Sequence, residues 1–180
     1  LVGHLIANST NPMVGVLAHP GQVDIRITAK TTTQAEADRL IAPLEQEVRS
    51  LLGGNVFATD EQTMPMVVGD LFASHGLTVA SYEGITGGTV AQQLQEAARE
   101  RFLQGTIGLQ PAVLRFIVAR SGFEGSFDDL LNDGPALADQ LATGIRVQTG
   151  ADMALAVHSV PDESAVTENL RAGRTYMSVA

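Results

Sequence analysis

The chain has 180 residues, of which 44% are hydrophobic, a formal net charge of −9 and no cysteine. This length is enough for one domain or two small ones, and the missing cysteine excludes disulfides, thiolate metal sites and a cysteine nucleophile. The acidic balance disfavours a nucleic-acid partner, and no apolar run approaches the roughly 20 residues that span a bilayer. Leu1 to Ile6 show neither an initiating methionine nor a signal-peptide pattern, so we expect a cytoplasmic fragment of a longer protein.

A β-hairpin is predicted first. An apolar run at Met13–Ala18 is joined by His19-Pro20-Gly21-Gln22 to a strand that alternates from Val23 to Lys30. Proline and glycine favour a turn, and the alternation predicts one buried and one wet face. The predicted buried face consists of Val23, Ile25, Ile27 and Ala29.

A helix follows the hairpin. Thr33 and Glu36 have the spacing of a capping box, Pro43 predicts a kink, and Gly53-Gly54 predicts the end of the helix. With a third short strand at Val56-Phe57, the first segment is predicted as a small α+β unit of ββαβ order.

The polar stretch from Glu61 to Pro65 predicts a domain boundary, with domains at residues 1–62 and 63–180. The second domain is predicted to open with a helix over Met66–Ser74, stopped by Gly76, and a strand over Leu77–Ser81. A sharp turn at residues 84–88 then enters a second helix, whose buried stripe extends to Phe102.

Three further elements complete the second domain. Leu137, Leu141 and Ile145 mark a helix ended by Gly150. Met153–Val157 reads as a strand buried on both faces, and Thr175–Val179 reads as a closing strand. The chain is therefore predicted to be α/β overall, with a layered α/β second domain and a ligand crevice at the carboxyl ends of its strands.

Several segments in this order carry a family resemblance. They are Asn11-Pro12-Met13-Val14, His19 to Lys30, Gly76-Leu77-Thr78-Val79-Ala80 with Glu83 and Thr86-Gly87-Gly88, Gly150 to Val157, and Gly173 with Tyr176. Together they resemble the middle, KH-like domain and the C-terminal domain of the CinA (competence/damage-inducible) family. The resemblance implies a deamidase-like second domain, because active members remove the amide from nicotinamide mononucleotide. Full-length members also carry an N-terminal domain that is absent from these 180 residues.

The family's catalytic motifs are not matched. Its E-S-C-T-G-G segment corresponds to residues 83–88, which places Gly84 where the serine stands and Ile85 where the cysteine stands. The region of its Y-S-N-x-x-K segment is Leu109 to Leu114 here, and the chain's single lysine is Lys30. Arg115 is too strongly protonated to act as a base. We therefore predict no catalytic residue.

The family's glycine-rich third motif is replaced by His158-Ser159-Val160-Pro161-Asp162-Glu163. This replacement removes backbone flexibility and adds two carboxylates that would repel a nucleotide phosphate. His158, Ser159 and Asp162 do not predict a hydrolytic trio, because adjacent residues of a strand point to opposite faces. His158 is interpreted as a loop residue.

The candidate ligand-binding residues are Glu83, Thr86, Gly87 and Gly88, at a predicted helix N-terminus that favours an anion. Two interpretations stay open for each part of this segment. Thr86 is either a helix cap or part of a ligand loop, and Glu83 is either a pocket carboxylate or a solvated charge. The four histidines show no metal-ligand spacing, so we expect neither a metal nor another cofactor.

Three functional hypotheses follow. The first is a non-catalytic CinA-type module that serves binding or assembly, as a homo-oligomer or beside an active partner, with a nicotinamide nucleotide or another small anion as the possible ligand. The second is an enzyme, either a weak nicotinamide-nucleotide deamidase that uses Thr86 or a hydrolase with a rearranged site that involves Glu83 or His158. The third is a partner-binding role for the wet face of the first domain's sheet. The KH-like label by itself does not predict nucleic-acid binding, because the domain is acidic.

Overall fold

A computed structural model describes residues 1–161 and 173–180, and the chain divides into two units between Asp60 and Glu61. The predicted boundary, after Gln62, lies two residues further along. No helix in the described ranges is both long and apolar enough to cross a membrane.

The first unit contains the predicted hairpin, with a helix on either side in sequence. Strands β1 and β2 are antiparallel, and Val14 pairs with Ile27. Its elements are α1 (Gly3–Asn8), β1 (Met13–His19), β2 (Gln22–Thr28) and α2 (Gln34–Leu52), with a 3₁₀ turn at Gly53–Asn55. Helix α1 was not predicted from the sequence.

Helix α2 begins as its capping signal predicts, because the Thr33 hydroxyl accepts a hydrogen bond from the Glu36 amide at 3.3 Å. The helix continues through Pro43 to Leu52, so the proline does not end it. The predicted third strand is wrong. Val56 and Phe57 belong to no regular element, so the unit has the order αββα instead of ββαβ.

The core of the first unit is small, and it covers only part of the hairpin. Leu5, Val14 and Val48 are buried at its centre, and Ile25 and Ile27 pack against them. Val23 was predicted on the same buried face, but it is 59% exposed, because it lies at the turn end of the hairpin and outside this cluster.

The second unit is a layered α/β structure, as predicted. Its sheet has the order β4-β3-β5-β6, with β3 parallel to β4 and β5, and β6 antiparallel to β5. The elements are α3 (Met64–His75), β3 (Val79–Glu83), α4 (Thr89–Ala98), a 3₁₀ turn (Arg99–Arg101), β4 (Phe102–Ile107), α5 (Pro111–Val118), α6 (Phe127–Leu130), α7 (Gly134–Thr149), β5 (Met153–Pro161) and β6 (Gly173–Val179).

Two element boundaries differ from the sequence prediction for local reasons. Gly76 adopts a left-handed conformation, and the Leu77 amide donates to the Phe72 carbonyl, so Leu77 closes α3 instead of beginning a strand. Phe102 is not part of the α4 stripe. Arg99 has a φ of 46°, which ends the helix, and Phe102 opens β4.

The prediction that Met153–Val157 is buried on both faces fails on the face that carries Met153 and Leu155. Both side chains are only half-buried there.

Helix α7 organises one face of the sheet. Its Leu137, Leu141 and Ile145 are fully buried, as their spacing predicts, and α7 packs on β3, β5 and β6. Helix α5 packs on α7 in turn. This close packing depends on Gly144, since a Cβ at that position would lie 2.2 Å from the Ile117 carbonyl oxygen.

Replacing Gly144 with alanine should therefore destabilise the second unit. The added methyl group has to push backbone aside, which costs about 1–3 kcal/mol of unfolding free energy. Urea denaturation followed by circular dichroism measures this loss. Val147→Ala, on the exposed side of the same helix, should change the unfolding free energy by less than about 0.5 kcal/mol. Equal effects of the two substitutions would contradict the packing argument.

Candidate functional site

Glu83 lies at the carboxyl end of β3 and is completely buried. Its Oε1 accepts a hydrogen bond from the Ala91 amide at 2.7 Å, and its Oε2 accepts one from the Val90 amide at 3.0 Å. Both amides belong to the first turn of α4, where the helix dipole favours a negative charge. Glu83 is therefore not a solvated charge at the end of a strand. Its carboxylate caps α4 from the neighbouring strand.

The turn from β3 to α4 depends on glycine. Gly87 and Gly88 have φ values of 64° and 100°, which residues with a Cβ rarely adopt. Gly88 is the N-cap residue of α4, and because glycine has no side chain, it supplies no side-chain hydrogen bond to the helix. The interpretation of Thr86 as the cap is therefore wrong. Its carbonyl, instead of its hydroxyl, accepts bonds from the Thr89 amide and hydroxyl.

The amides in the first turn of α4 already have acceptors within the chain. The Thr89 amide donates to Thr86, the Gln92 amide donates to Gly88, and the two amides between them donate to Glu83. An anion at this helix end would have to displace one of these acceptors or bind the preceding turn. Ligand binding by Glu83, Thr86, Gly87 and Gly88 thus remains a prediction.

Gly84, the position that the resemblance assigns to a serine, is buried beside apolar side chains. A Cβ at Gly84 would lie 2.9 Å from Leu109 Cδ2 and 3.8 Å from Tyr82 Oη. Ile107 approaches Gly88 in the same way, at 2.7 Å from a Cβ built there. Ile107, the last residue of β4, and Leu109, two residues after it, thus lie beside the turn, and a side chain at position 84 would displace the flexible end of Leu109.

The residues that follow β4 include no lysine. Leu114, the position that the resemblance assigns to a lysine, is buried in the main core. Arg115 is exposed, donates to Asp128 at 3.3 Å and stacks over Phe127 at 4.2 Å from the ring centroid. Its guanidinium serves a surface ion pair and a cation–π contact.

Tyr82 is a buried polar residue that the sequence reasoning missed. It is fully buried, and its hydroxyl donates to the Gly108 carbonyl at 2.6 Å. Burial raises the pKa of Tyr82 to about 12, so the phenol stays protonated at neutral pH. Because side chains alternate along a strand, Tyr82 and Glu83 lie on opposite faces of the sheet. This alternation is the one sequence signal that could have predicted the face on which Tyr82 lies.

His158 lies within β5, because this strand extends to Pro161, and the interpretation of His158 as a loop residue is wrong. The side chain is buried, and its Nδ1 has no hydrogen-bond partner in the described part of the chain. Ser159 points to the other face and bonds to Thr175 at 3.0 Å, so histidine and serine diverge as predicted. Asp162 and Glu163 lie outside the described residues.

Within residues 1–161 and 173–180, no three His, Asp or Glu side chains lie close enough together to hold a metal ion. The candidate site is therefore an exposed turn between β3 and α4 that lies over one buried capping carboxylate, Glu83. His158, whose Nδ1 has no partner among the described residues, lies separately on β5.

Residues 1–58 match the family model described as the damage-inducible protein CinA KH domain. A protein of Clostridium tetani named for competence-damage induction is 30% identical over 185 residues, covering 98% of this chain and 43% of that protein. A CinA-like protein of Acaryochloris marina is 30% identical over 176 residues, covering 95% of this chain and 41% of that protein. The chain belongs to the CinA family. It spans less than half the length of these relatives.

Two solved structures show the same fold as the CinA-family chain. The competence/damage-inducible protein CihA of Agrobacterium tumefaciens matches with a TM-score of 0.53 at 20% identity, covering 69% of this chain and 75% of that one. A CinA-superfamily protein of Escherichia coli matches with a TM-score of 0.51 at 16% identity, covering 72% and 84%. At these identities the likeness establishes the fold alone.

Removing the charge of Glu83 should loosen the start of α4. In Glu83→Gln one of the two acceptor oxygens becomes an NH₂ group that faces a backbone donor, so the unfolding free energy should fall by about 1–3 kcal/mol. Chemical denaturation measures the loss, and Glu100→Gln, an exposed site after the same helix, is the matched control. A neutral Glu83→Gln would mean that the buried carboxylate does not stabilise the turn.

Burial lowers the pKa of His158, because desolvation disfavours the charged ring. An unfolded histidine titrates at about pH 6.5, so the unfolded state takes up the proton first as the pH falls. Stability should therefore be full above about pH 6.5 and should decrease as the pH drops below that value. Melting temperatures across this range should show a component that His158→Gln removes and that His75→Gln, at an exposed site, retains. Identical pH profiles for the native chain and His158→Gln would contradict this assignment.

Proposed function

We propose that this chain is a non-catalytic member of the CinA family, whose deamidase-like unit serves binding or assembly instead of amide hydrolysis. The observation that carries the proposal is Gly84. Amide hydrolysis needs a nucleophile, and glycine at this position supplies no hydroxyl, while the end of the Leu109 side chain lies 2.9 Å from where a Cβ would stand.

The second requirement of the reaction is a group that activates the nucleophile. A lysine at the place of Leu114 could act as a base when desolvated, but leucine cannot, and this leucine is part of the core. Arg115 is engaged with Asp128 at the surface. The loss of the nucleophile and the loss of the activator therefore support the same conclusion from two different elements.

The third requirement is a place for the substrate's phosphate. The N-terminus of α4 would be the natural one, but the Glu83 carboxylate already accepts from two of its amides. A buried negative charge there also repels a phosphate. A nicotinamide nucleotide or another small anion, if bound, would thus contact the preceding turn at Thr86, Gly87 and Gly88.

A rearranged enzyme is the second candidate function, and one observation favours it. His158 is buried on β5, and its Nδ1 has no hydrogen-bond partner among the described residues. Burial lowers the pKa of His158 and keeps the imidazole neutral, which is the form that can accept a proton. Thr86 is exposed in the turn and would be the available hydroxyl. This candidate requires the Thr86 hydroxyl and the His158 imidazole to reach the same substrate molecule.

Ammonia release from nicotinamide mononucleotide distinguishes the two functions. The folded chain at millimolar substrate should release no ammonia above the rate of the substrate alone. Turnover that Thr86→Ala or His158→Gln abolishes would overturn the non-catalytic proposal and would place a rebuilt site at the carboxyl edge of the sheet. Each variant has to keep its circular dichroism spectrum for the comparison to count.

Thermal unfolding with added nicotinamide mononucleotide tests binding separately from catalysis. A ligand that binds only the native state raises the melting temperature in a concentration-dependent way. A shift without turnover would assign the unit a ligand-binding role, and Gly87→Ala, which strains the turn, should reduce that shift. No shift at millimolar nucleotide would leave assembly as the role.

A further inference from the structure

One stretch of the second unit differs in charge from the rest of the chain. Residues 101–123 contain no aspartate or glutamate, but they contain Arg101, Arg115 and Arg120, in a chain whose net charge is −9. The stretch comprises β4, α5 and the residues after α5. A negatively charged partner therefore meets less repulsion here than on the acidic remainder of the chain.

Helix α5 lies in this stretch, and it is apolar on two opposite sides. Its buried side consists of Leu114, Ile117 and Val118. The opposite side carries Ala112, Phe116 and, at the C-cap, Ala119, which recur at helical spacing and are all exposed. Phe116 is 54% exposed. A surface helix normally presents polar residues on its outer side, so the outer side of α5 has the composition of a covered surface.

Two arginines flank these apolar residues, and each stacks on an aromatic ring. The Arg120 guanidinium lies 3.5 Å from the centroid of the Phe116 ring and donates to the Phe116 carbonyl at 2.6 Å. Arg115 lies 4.2 Å from the centroid of the Phe127 ring. Stacking holds each charge in place, so less side-chain freedom is lost when a partner binds. Arginine and aromatic residues are also the types that dominate binding at protein interfaces.

Both arginines are available to carboxylates of a partner. Arg120 forms no salt bridge within the described part of the chain. Arg115 pairs with Asp128 at 3.3 Å, but the two side chains are 61% and 84% exposed. An ion pair that is this exposed contributes little, so a carboxylate of a partner can take the place of Asp128.

We propose that the outer side of α5 binds an acidic amphipathic segment of a partner protein. Apolar side chains of the segment cover Phe116 and the two alanines, and its carboxylates pair with Arg115 and Arg120 at the rim. The inference names a partner chemistry for the binding role proposed above. It does not depend on the absence of catalysis.

A nucleic acid is the other anionic partner that arginine and aromatic residues can bind. Two observations favour a protein segment. The alanines offer no ring on which a base could stack, and Arg120 already covers one face of Phe116. Two arginines also neutralise few phosphates, while the net charge of −9 repels the rest of a long polyanion.

Fluorescence anisotropy with a labelled peptide tests the proposal on the full chain. The probe is a peptide of about 14 residues made of glutamate and leucine, with the leucines at helical spacing. The native chain should bind it with a dissociation constant of about 100 μM or lower. A matched peptide with lysine at every glutamate position should bind at least about tenfold more weakly. The net charge of −9 alone predicts the opposite order, so the comparison separates a local site from the overall field.

Substitutions locate the site. Phe116→Ala and Arg120→Glu should each weaken binding of the acidic peptide about tenfold, as the loss of one anchor residue does. Val147→Ala and Arg146→Glu are the matched controls, since both residues are exposed on α7 and the changes in size and charge are the same. The controls should leave the affinity nearly unchanged. Circular dichroism checks that every variant is folded.

Three results would overturn the proposal. They are no binding of the acidic peptide at about 1 mM, tighter binding of the lysine peptide, and equal losses from Arg146→Glu and Arg120→Glu. An oligothymidine that binds as tightly as the acidic peptide would also contradict it, because the surface would then be one that binds phosphates. Anisotropy reports binding and the ammonia assay reports turnover, so failure of this proposal and failure of the non-catalytic proposal are distinguishable.

Discussion

The bonds from Glu83 to the first turn of α4 hold the second unit's candidate site in shape. A carboxylate that leaves water costs several kilocalories per mole unless it is paired or hydrogen-bonded, and Glu83 is bonded to two amides at the positive end of a helix. That arrangement fixes the distance between β3 and α4. The left-handed glycines between them follow from it, because the chain has to reverse within a few residues to bring the helix end over the carboxylate.

Apolar contacts occupy the positions around this cap where the family resemblance implies chemistry. Leu109 packs beside Gly84, Ile107 packs beside Gly88, and Leu114 joins the core under α7. Ile107 ends β4, and Leu109 and Leu114 follow it. These positions therefore carry aliphatic side chains, of which Leu114 is buried in the core and Ile107 and Leu109 are about half exposed.

The sequence predicted the elements whose signals are local. The capping box at Thr33, the turn of the hairpin and the helical stripe of α7 each lie within a few consecutive residues, and each forms as expected. Errors arose where the deciding contact was distant or a dihedral was unusual. The role of Glu83 depends on amides seven and eight residues away across a turn, and the end of α4 depends on a positive φ at Arg99 that arginine rarely adopts. His158 was assigned to a loop because the predicted strand ended at Val157. The strand in fact continues to Pro161 by pairing with β6, and that pairing has no signal in the local sequence.

The same cap has a consequence for any phosphate that reaches the turn. Glu83 is tethered to the chain a few residues from the helix end, so its effective concentration there greatly exceeds that of a free anion in solution. A free phosphate would compete with a ligand that cannot diffuse away and has already lost its conformational freedom. At the start of α4, exclusion of a free anion would thus follow from the connectivity of the chain as much as from charge.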